Sequence, residues 1–292
     1  MKYIEINSND MRIKVVFVII GLCCISPIFF GQSRVVLDNY YNNEFDAKTG
    51  KPFHYLWEDT AMSGFSQLGY LFRQSGAVIS TLKEKPSSKN LKEIDVYIIV
   101  DPDTKLETAT PNYMDNITAE AIENWVRKGG VLLMLANDSK NAELERFNIL
   151  AEKFGMHFDN ELLHPEKSEQ GKPRNFNSCA SINLPDHPLF MGVSKIFLKE
   201  IAPISCVKPA KSVLVENGKT IMAESKIGKG YVFAVGDPWI YNEYIDHWVL
   251  SKDFDNKKII SIFVRLTARN YANNLKKACT NARICQSKSI DS

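Results

Sequence analysis

The sequence is poor in the groups that carry nucleophilic and metal chemistry. Its six cysteines never form a C-x-x-C pair, so spacing offers neither a zinc site nor a thioredoxin-type dithiol. No compact D-x-D-x-D loop is present, and neither a metal site nor a cofactor is expected. No Ser or Cys stands between glycines at a strand-to-helix turn, which leaves no nucleophile elbow. The five histidines, His54, His157, His164, His187 and His247, stand isolated, with no base partner evident in the sequence. An excess of one charge is also missing: 36 basic and 34 acidic residues give a net charge of +2, without the basic block that nucleic-acid binding would require. Internal repeats and low-complexity segments are absent from the sequence as well.

What is present is enough apolar material for a core. The chain has 292 residues, 45% hydrophobic and 24% charged, which fits one large domain or a domain with a small appendage. At its start, Arg12 and Lys14 precede an apolar run from Val15 to Cys24, and Pro27 then breaks the pattern. Sixteen residues from Val15 to Phe30, interrupted by Gly21, Ser26 and Pro27, are short for a membrane span. This reads as a signal peptide over 1–32, cleaved near Gly31 or Gln32, and implies a periplasmic or extracellular protein with no membrane span after cleavage. Leu22, Cys23 and Cys24 do not fit a lipobox. Removing the signal leaves Cys179, Cys206, Cys279 and Cys285, an even number. Pairs Cys179–Cys206 and Cys279–Cys285 and four unpaired thiols both remain open, because spacing does not fix connectivity.

The stretch Val131 to Ala136, between Gly129-Gly130 and Asn137-Asp138-Ser139, has the run of apolar residues expected of a strand covered on both faces. Around it, Arg34 to Asp38, Ala77 to Leu82 and Ile94 to Asp103 read as further strands. A helix is predicted from about Thr60 to Gln74, with Met62, Phe65, Leu68, Gly69 and Phe72 on one stripe. A second is predicted with Thr118 as its cap, Glu120 in its first turn, a buried side of Ala121, Ile122, Trp125 and Val126, and Gly129 at its end. A third uses Leu144, Phe147, Leu150, Ala151 and Phe154 and closes at Gly155. The second half is richer in strands: Asn217-Gly218 marks a hairpin between Ser212–Val215 and Thr220–Ala223, and Gly228-Lys229-Gly230 is a tight turn before the buried strand Tyr231 to Gly236. A last helix from roughly Lys257 to Ala272 covers the sheet, and 273–292 is a basic tail expected to fray. The fold class is therefore α/β, flavodoxin-like and doubly wound, with a mostly parallel sheet, helices on both faces and a β-rich second half.

In such sheets ligands sit just beyond the carboxyl ends of the strands. That rule gathers Asp38, Asn39, Tyr40, Asn42, Asp101, Asp103, Asn137, Asp138, Asp237, Trp239, Tyr241, Asn242 and Glu243 as candidate ligand-binding residues. Carboxylates and amides exchange hydrogen bonds with sugar hydroxyls, and aromatic faces cover the apolar side of a ring. Asp and Asn also close turns and cap helices, so each has a purely structural alternative. Asp101, Asp138 and Asp237 are the candidate catalytic residues if a carboxylate pair hydrolyses a glycan.

Val35 to Glu44, Ile98 to Thr104, Trp125 to Leu133, Phe147 to Gly155 and Gly228 to Tyr244 resemble the class I glutamine-amidotransferase-like domain. The likeness is to the version attached to bacterial unsaturated rhamnogalacturonyl hydrolases of glycoside hydrolase families 88 and 105, and it covers about Arg34 to Phe263. It implies a domain over 33–272. Those hydrolases carry their catalysis on an (α/α)₆ barrel that this chain has no stretch to form, so none of their catalytic residues transfers. Amidotransferases place a Cys after the central strand, where this chain has Asn137-Asp138, so glutaminase chemistry is not expected. The resemblance implies an exported accessory domain in the breakdown of pectin-type (rhamnogalacturonan) polysaccharide, binding an oligosaccharide or a separate hydrolase partner. A glycan hydrolase using two of Asp38, Asp101, Asp138 and Asp237, and a structural scaffold, remain the alternatives.

Overall fold

The computed structural model describes residues 32–166, 175–247 and 249–267. The signal segment through Gly31, Cys279, Cys285 and the 273–292 tail lie outside the described residues, as does the side chain of Glu243. Strand β1 (Arg34–Asp38) leads through a long loop to helix α1 (Ser66–Gln74) and strand β2 (Val78–Leu82). Strand β3 (Val96–Val100), helix α2 (Asn116–Lys128), strand β4 (Val131–Leu135) and helix α3 (Leu144–Ala151) continue the alternation. Short strands β5 (Met156–Phe158), β6 (Ala180–Ser181), β7 (Ile196–Phe197) and β8 (Ile204–Cys206) follow. The chain then builds β9 (Lys211–Glu216), β10 (Lys219–Ile227) and β11 (Gly230–Val235), and helix α4 occupies 256–267.

The main sheet has the order β2-β1-β3-β4-β11-β10-β9, with β2, β1, β3, β4 and β11 parallel and β10 and β9 added antiparallel at one edge. This is the flavodoxin-like order with β11 in fifth place. Period-two alternation divides the strands between two cores. Val35, Leu37, Ile98, Leu133 and Phe233 face α1 and α4, where Leu68, Phe72, Ile260 and Phe263 meet them. Val36, Tyr97, Ile99, Leu132 and Val232 face α2 and α3, against Ile122, Trp125, Phe147 and Leu150. All five residues of β4 are buried, as the apolar run requires.

Two expectations need correction, and one open alternative is settled. Helix α1 begins at Ser66 and not at Thr60, because Asp59 accepts a hydrogen bond from the Ala61 N–H (2.8 Å) and closes a separate turn, leaving Met62 exposed. The cap of α2 is Asp115, whose carboxylate accepts from the Thr118 N–H at 2.8 Å; Thr118 already lies inside the helix, and Ala119 rather than Ala121 is fully buried. Of the two alternatives left open for Cys179 and Cys206, the unpaired one holds: both are free thiols, Cys179 directed at the carbonyl of His164 and Cys206 standing at the end of β8.

The hairpin between β9 and β10 turns at Asn217 and Gly218, with φ of 49° and 77°, the left-handed pair that a type I′ turn demands. The register of β10 against β9 shifts between Thr220 and Ala223, a bulge that bends this edge of the sheet. Among the described residues no helix is long and apolar enough to cross a membrane.

Truncating the middle of β4 tests the two-core arrangement. Leu133→Ala should lower unfolding free energy by about 2–5 kcal/mol in urea titration. Leu106→Ala, at a residue 86% exposed, should change it by less than about 0.5 kcal/mol.

Candidate functional site

The carboxyl ends of β1, β3, β4 and β11 lie along one side of the sheet and bring Asp38, Asp101, Asp103, Asn137, Asp138 and Asp237 there, as the sequence predicts. They form a buried layer and not an open rim: each of the six is 4% exposed or less. The carboxylate of Asp38 accepts from the Tyr40 and Tyr41 N–H groups (3.1 and 2.8 Å) and from the Tyr97 hydroxyl (2.7 Å). Asp103 accepts from the Asn43 N–H at 2.9 Å, and the Asn42 amide donates to the Asp101 carbonyl at 2.9 Å. Asn39 in turn donates to the Asn42 carbonyl.

These bonds have one geometric result. The crevice between β1 and β3, where a sheet of this order reverses direction and where ligands of such folds bind, is filled by the chain's own 39–43 loop.

Asp101 sits at the strained end of β3 with φ +41°, and neighbouring His54 and Tyr55 also have positive φ, 59° and 47°. One Asp101 oxygen accepts from the Asn137 amide at 3.3 Å, while the other has no hydrogen-bond partner among the described residues. Loss of water drives its carboxyl well above the usual range, and Glu107 adds to the effect while Tyr55 and Asn137 oppose it. Burial also raises Asp38, Asp103 and Asp237 to about 7, against the donated N–H bonds that favour their ionised forms. Asp237 takes the Lys199 N–H (2.8 Å) and the Trp239 N–H (2.7 Å). Asp138 closes the turn into α3 by accepting from the Lys140 N–H and the Asn141 amide.

The aromatic candidates are engaged elsewhere. Tyr241 is a core residue against the Phe263 ring, and the Lys199 ammonium sits 4.1 Å over the Trp239 ring, occupying the face a sugar would need. Tyr40 is half-buried, edge-on to Tyr41. Asn242 is fully buried, with neither amide atom hydrogen-bonded among the described residues. The histidines are less isolated than the sequence implies, for His54, His157 and His164 each stand 2.9 Å from a carboxylate, of Glu44, Glu152 and Glu216, and His187 lies 3.9 Å from Glu224. None of these is paired with a hydroxyl or thiol nucleophile in the bonds recorded among the described residues. Burial raises the Cys179 thiol, which suppresses its thiolate form.

Open space lies beside the buried layer. A cleft of about 530 Å³ runs from the Asn137–Ser139 turn along α3 to β5, lined by Thr104, Ser139, Glu143, Asn148, Glu152 and His157. Half-buried Ile149 gives it an apolar side, and Ser139 donates to the amide oxygen of Asn160 at its rim. Asn148 is held in place by two bonds to the backbone of Phe158, accepting from its N–H (2.8 Å) and donating to its carbonyl (2.9 Å). His157 bridges the Glu152 carboxylate and the Asn148 amide (2.9 and 3.3 Å). Apart from the Asn137-Asp138-Ser139 turn, sequence reasoning does not find this cleft. Its one legible signal is Asn148, an amide among the apolar positions Phe147, Leu150 and Ala151. Among the described residues no group of three or more His, Cys, Asp or Glu side chains is placed to hold a metal ion.

No family model matches the chain, and no curated protein matches it in sequence. Solved structures do. The mmIFT52 N-terminal domain superposes with a TM-score of 0.57 at 18% identity, over 81% of this chain and 97% of that one. The Salmonella typhimurium LT2 cytoplasmic protein STM1381 superposes with 0.52 at 14% identity, over 82% and 99%. A GMP synthase subunit from Thermoplasma acidophilum matches over 88% of this chain and 98% of its own at 10% identity, with a TM-score of 0.45, too loose to argue from. Identities of this size speak to the fold alone.

The buried acids fix a pH dependence. An aspartate whose folded value is raised from 3.8 to about 7 holds its proton better folded than unfolded. Its stabilising contribution is complete below the unfolded value and is lost as pH climbs toward 7. The melting temperature should therefore fall by about 5 °C or more from pH 5 to pH 8. Asp38→Asn should flatten that slope; a melting temperature that rises over the interval would contradict the assignment.

Proposed function

We propose that this chain is an exported, non-catalytic accessory domain that binds oligosaccharides of the pectin type, close to the class I glutamine-amidotransferase-like domains attached to rhamnogalacturonyl hydrolases. The observation that carries the reading is the cleft along α3. Its hydroxyls, amides and carboxylates offer the mixed donors and acceptors that sugar hydroxyls use, and the half-buried Ile149 supplies an apolar contact for a ring. The resemblance of Ile98 to Thr104 and Gly228 to Tyr244 to that domain supports the choice of sugar class.

The state of the aspartates weighs against hydrolysis. A glycosidase needs two carboxyl groups reachable by substrate, one of them ionised. Asp38, Asp101, Asp138 and Asp237 are buried and already accept hydrogen bonds from the protein itself, Asp38 and Asp138 from their own loops, Asp101 from the Asn137 amide and Asp237 from the Lys199 N–H. Amidotransfer finds no nucleophile at the Asn137-Asp138 turn.

Isothermal titration with unsaturated rhamnogalacturonan oligosaccharides, run beside an assay for product release, tests the proposal. Binding without turnover is expected, and Asn148→Ala with Glu152→Ala should weaken it about tenfold or more. Turnover that disappears in Asp138→Asn would establish a hydrolase instead, and a blank glycan array would leave a scaffold. Export predicts that the protein recovered outside the cytoplasm begins near Gln32, which N-terminal sequencing reads directly.

A further inference from the structure

The cleft along α3 carries Glu143, Glu145 and Glu152, so the acidic units of a pectin-type chain would find no counter-charge in it. A second groove has the opposite character. It has a volume of about 330 Å³, lies at the start of α4, and is lined by His247, Lys252, Asp255, Lys257, Lys258 and Arg265.

Three features mark it. Lys258, Ser261 and Arg265 are spaced i, i+3, i+7, which puts them on one stripe of the helix. Asp255 is the residue before α4, its carbonyl accepting from the Ile259 N–H at 3.0 Å, so Lys257 and Lys258 fall in the first turn. Cations there oppose the helix macrodipole, whose positive end is at the N-terminus, and the arrangement becomes favourable when an anion lies among them. Finally, the positive charge is only partly answered. Lys257 stands 3.5 Å from Asp246 and Lys258 donates to the Gly192 carbonyl, but Lys252 and Arg265 are exposed and have no ion-pair partner among the described residues.

We propose that this groove binds the carboxylate groups of a hexuronate oligosaccharide. Lys252, Lys258 and Arg265 would take the carboxylates, while the Asp255 carboxylate and the Ser261 hydroxyl accept from ring hydroxyls. The Asp255 carboxylate among the cations favours a uronate over duplex DNA, which brings negative charge of the same kind but no free sugar hydroxyl to donate to it. Asp255 already accepts from the Ser194 N–H and hydroxyl (2.7 and 2.8 Å), so it is held rigidly in the groove. The proposal rests on the oligosaccharide reading and adds to it a second contact surface with its own specificity for charge.

The test uses the full chain and a galacturonate tetramer, its methyl-esterified counterpart and a DNA duplex as probes. Calorimetry should show the acid tetramer binding about tenfold tighter than the ester, with affinity falling as salt rises from about 20 to about 200 mM. The double variant K252E/R265E, both positions exposed, should lose that binding by tenfold or more at an unchanged melting temperature. Asn148→Ala should leave it unaltered. Equal affinity for acid and ester, tighter binding of the duplex, no binding of the tetramer, or full binding by K252E/R265E each overturns the groove. Neutral oligosaccharide binding sensitive to Asn148→Ala but indifferent to K252E/R265E would leave the cleft reading standing while the groove falls. Loss of all sugar binding in the unmodified protein removes both.

Discussion

A carboxylate taken out of water must be given donors or a proton, and this molecule meets that requirement four times along one edge of its sheet. Asp38 and Asp237 are met chiefly by N–H groups of the loops that follow their strands, Asp103 by the N–H of Asn43, and Asp101 by the amide of Asn137. Apart from the Tyr97 hydroxyl and the Lys199 N–H, the donors are supplied by the 39–43 loop and by the turns after β4 and β11, so those segments are held against the strand ends. Filling the crevice between β1 and β3 is the outcome. A fold that ordinarily keeps its ligand at this reversal of strand order has its own backbone there, and the remaining open space shifts outward to α3.

How much of this is legible in the sequence depends on whether the information is local. The strands are, since Val131 to Leu135 and Tyr231 to Val235 are apolar runs bounded by glycines, and the order of layers follows from alternation. The cap of α2 is displaced by three residues from its expected place because Thr118 and Asp115 are both good caps, and only backbone geometry decides between them. The start of α1 differs because Met62 keeps helical spacing while a side-chain bond from Asp59 diverts the chain. Gathering the aspartates on one edge follows from topology; their burial does not, because it depends on where the 39–43 loop folds back. The cleft is least legible. Its walls come from α3, β5 and the loop after β3, and they are joined by bonds between residues of different elements, among them the two between Asn148 and the Phe158 backbone and that of the Glu143 N–H to the Pro102 carbonyl.

The charge distribution adds a level that net charge conceals. With +2 overall the chain looks neutral, yet the cleft along α3 is acidic and the groove at α4 is basic. A ligand that alternates neutral and acidic units would meet complementary surfaces at the two places, whereas a uniformly charged one would be repelled by one of them. Specificity of this kind comes from where charges are kept apart, and the +2 sum is what remains after they cancel.

The bulge between β9 and β10 has a bearing on how the molecule behaves beside copies of itself. Among the described residues strand β9 is the last of the sheet, with no further strand on its outer side, and such an edge is a template onto which a foreign strand could dock. The register shift twists that border, and Lys211 and Glu216 place a charge at each of its ends. Such a margin is a poor platform for strand addition, so the β9 edge is guarded against uncontrolled growth by its own bend and charges.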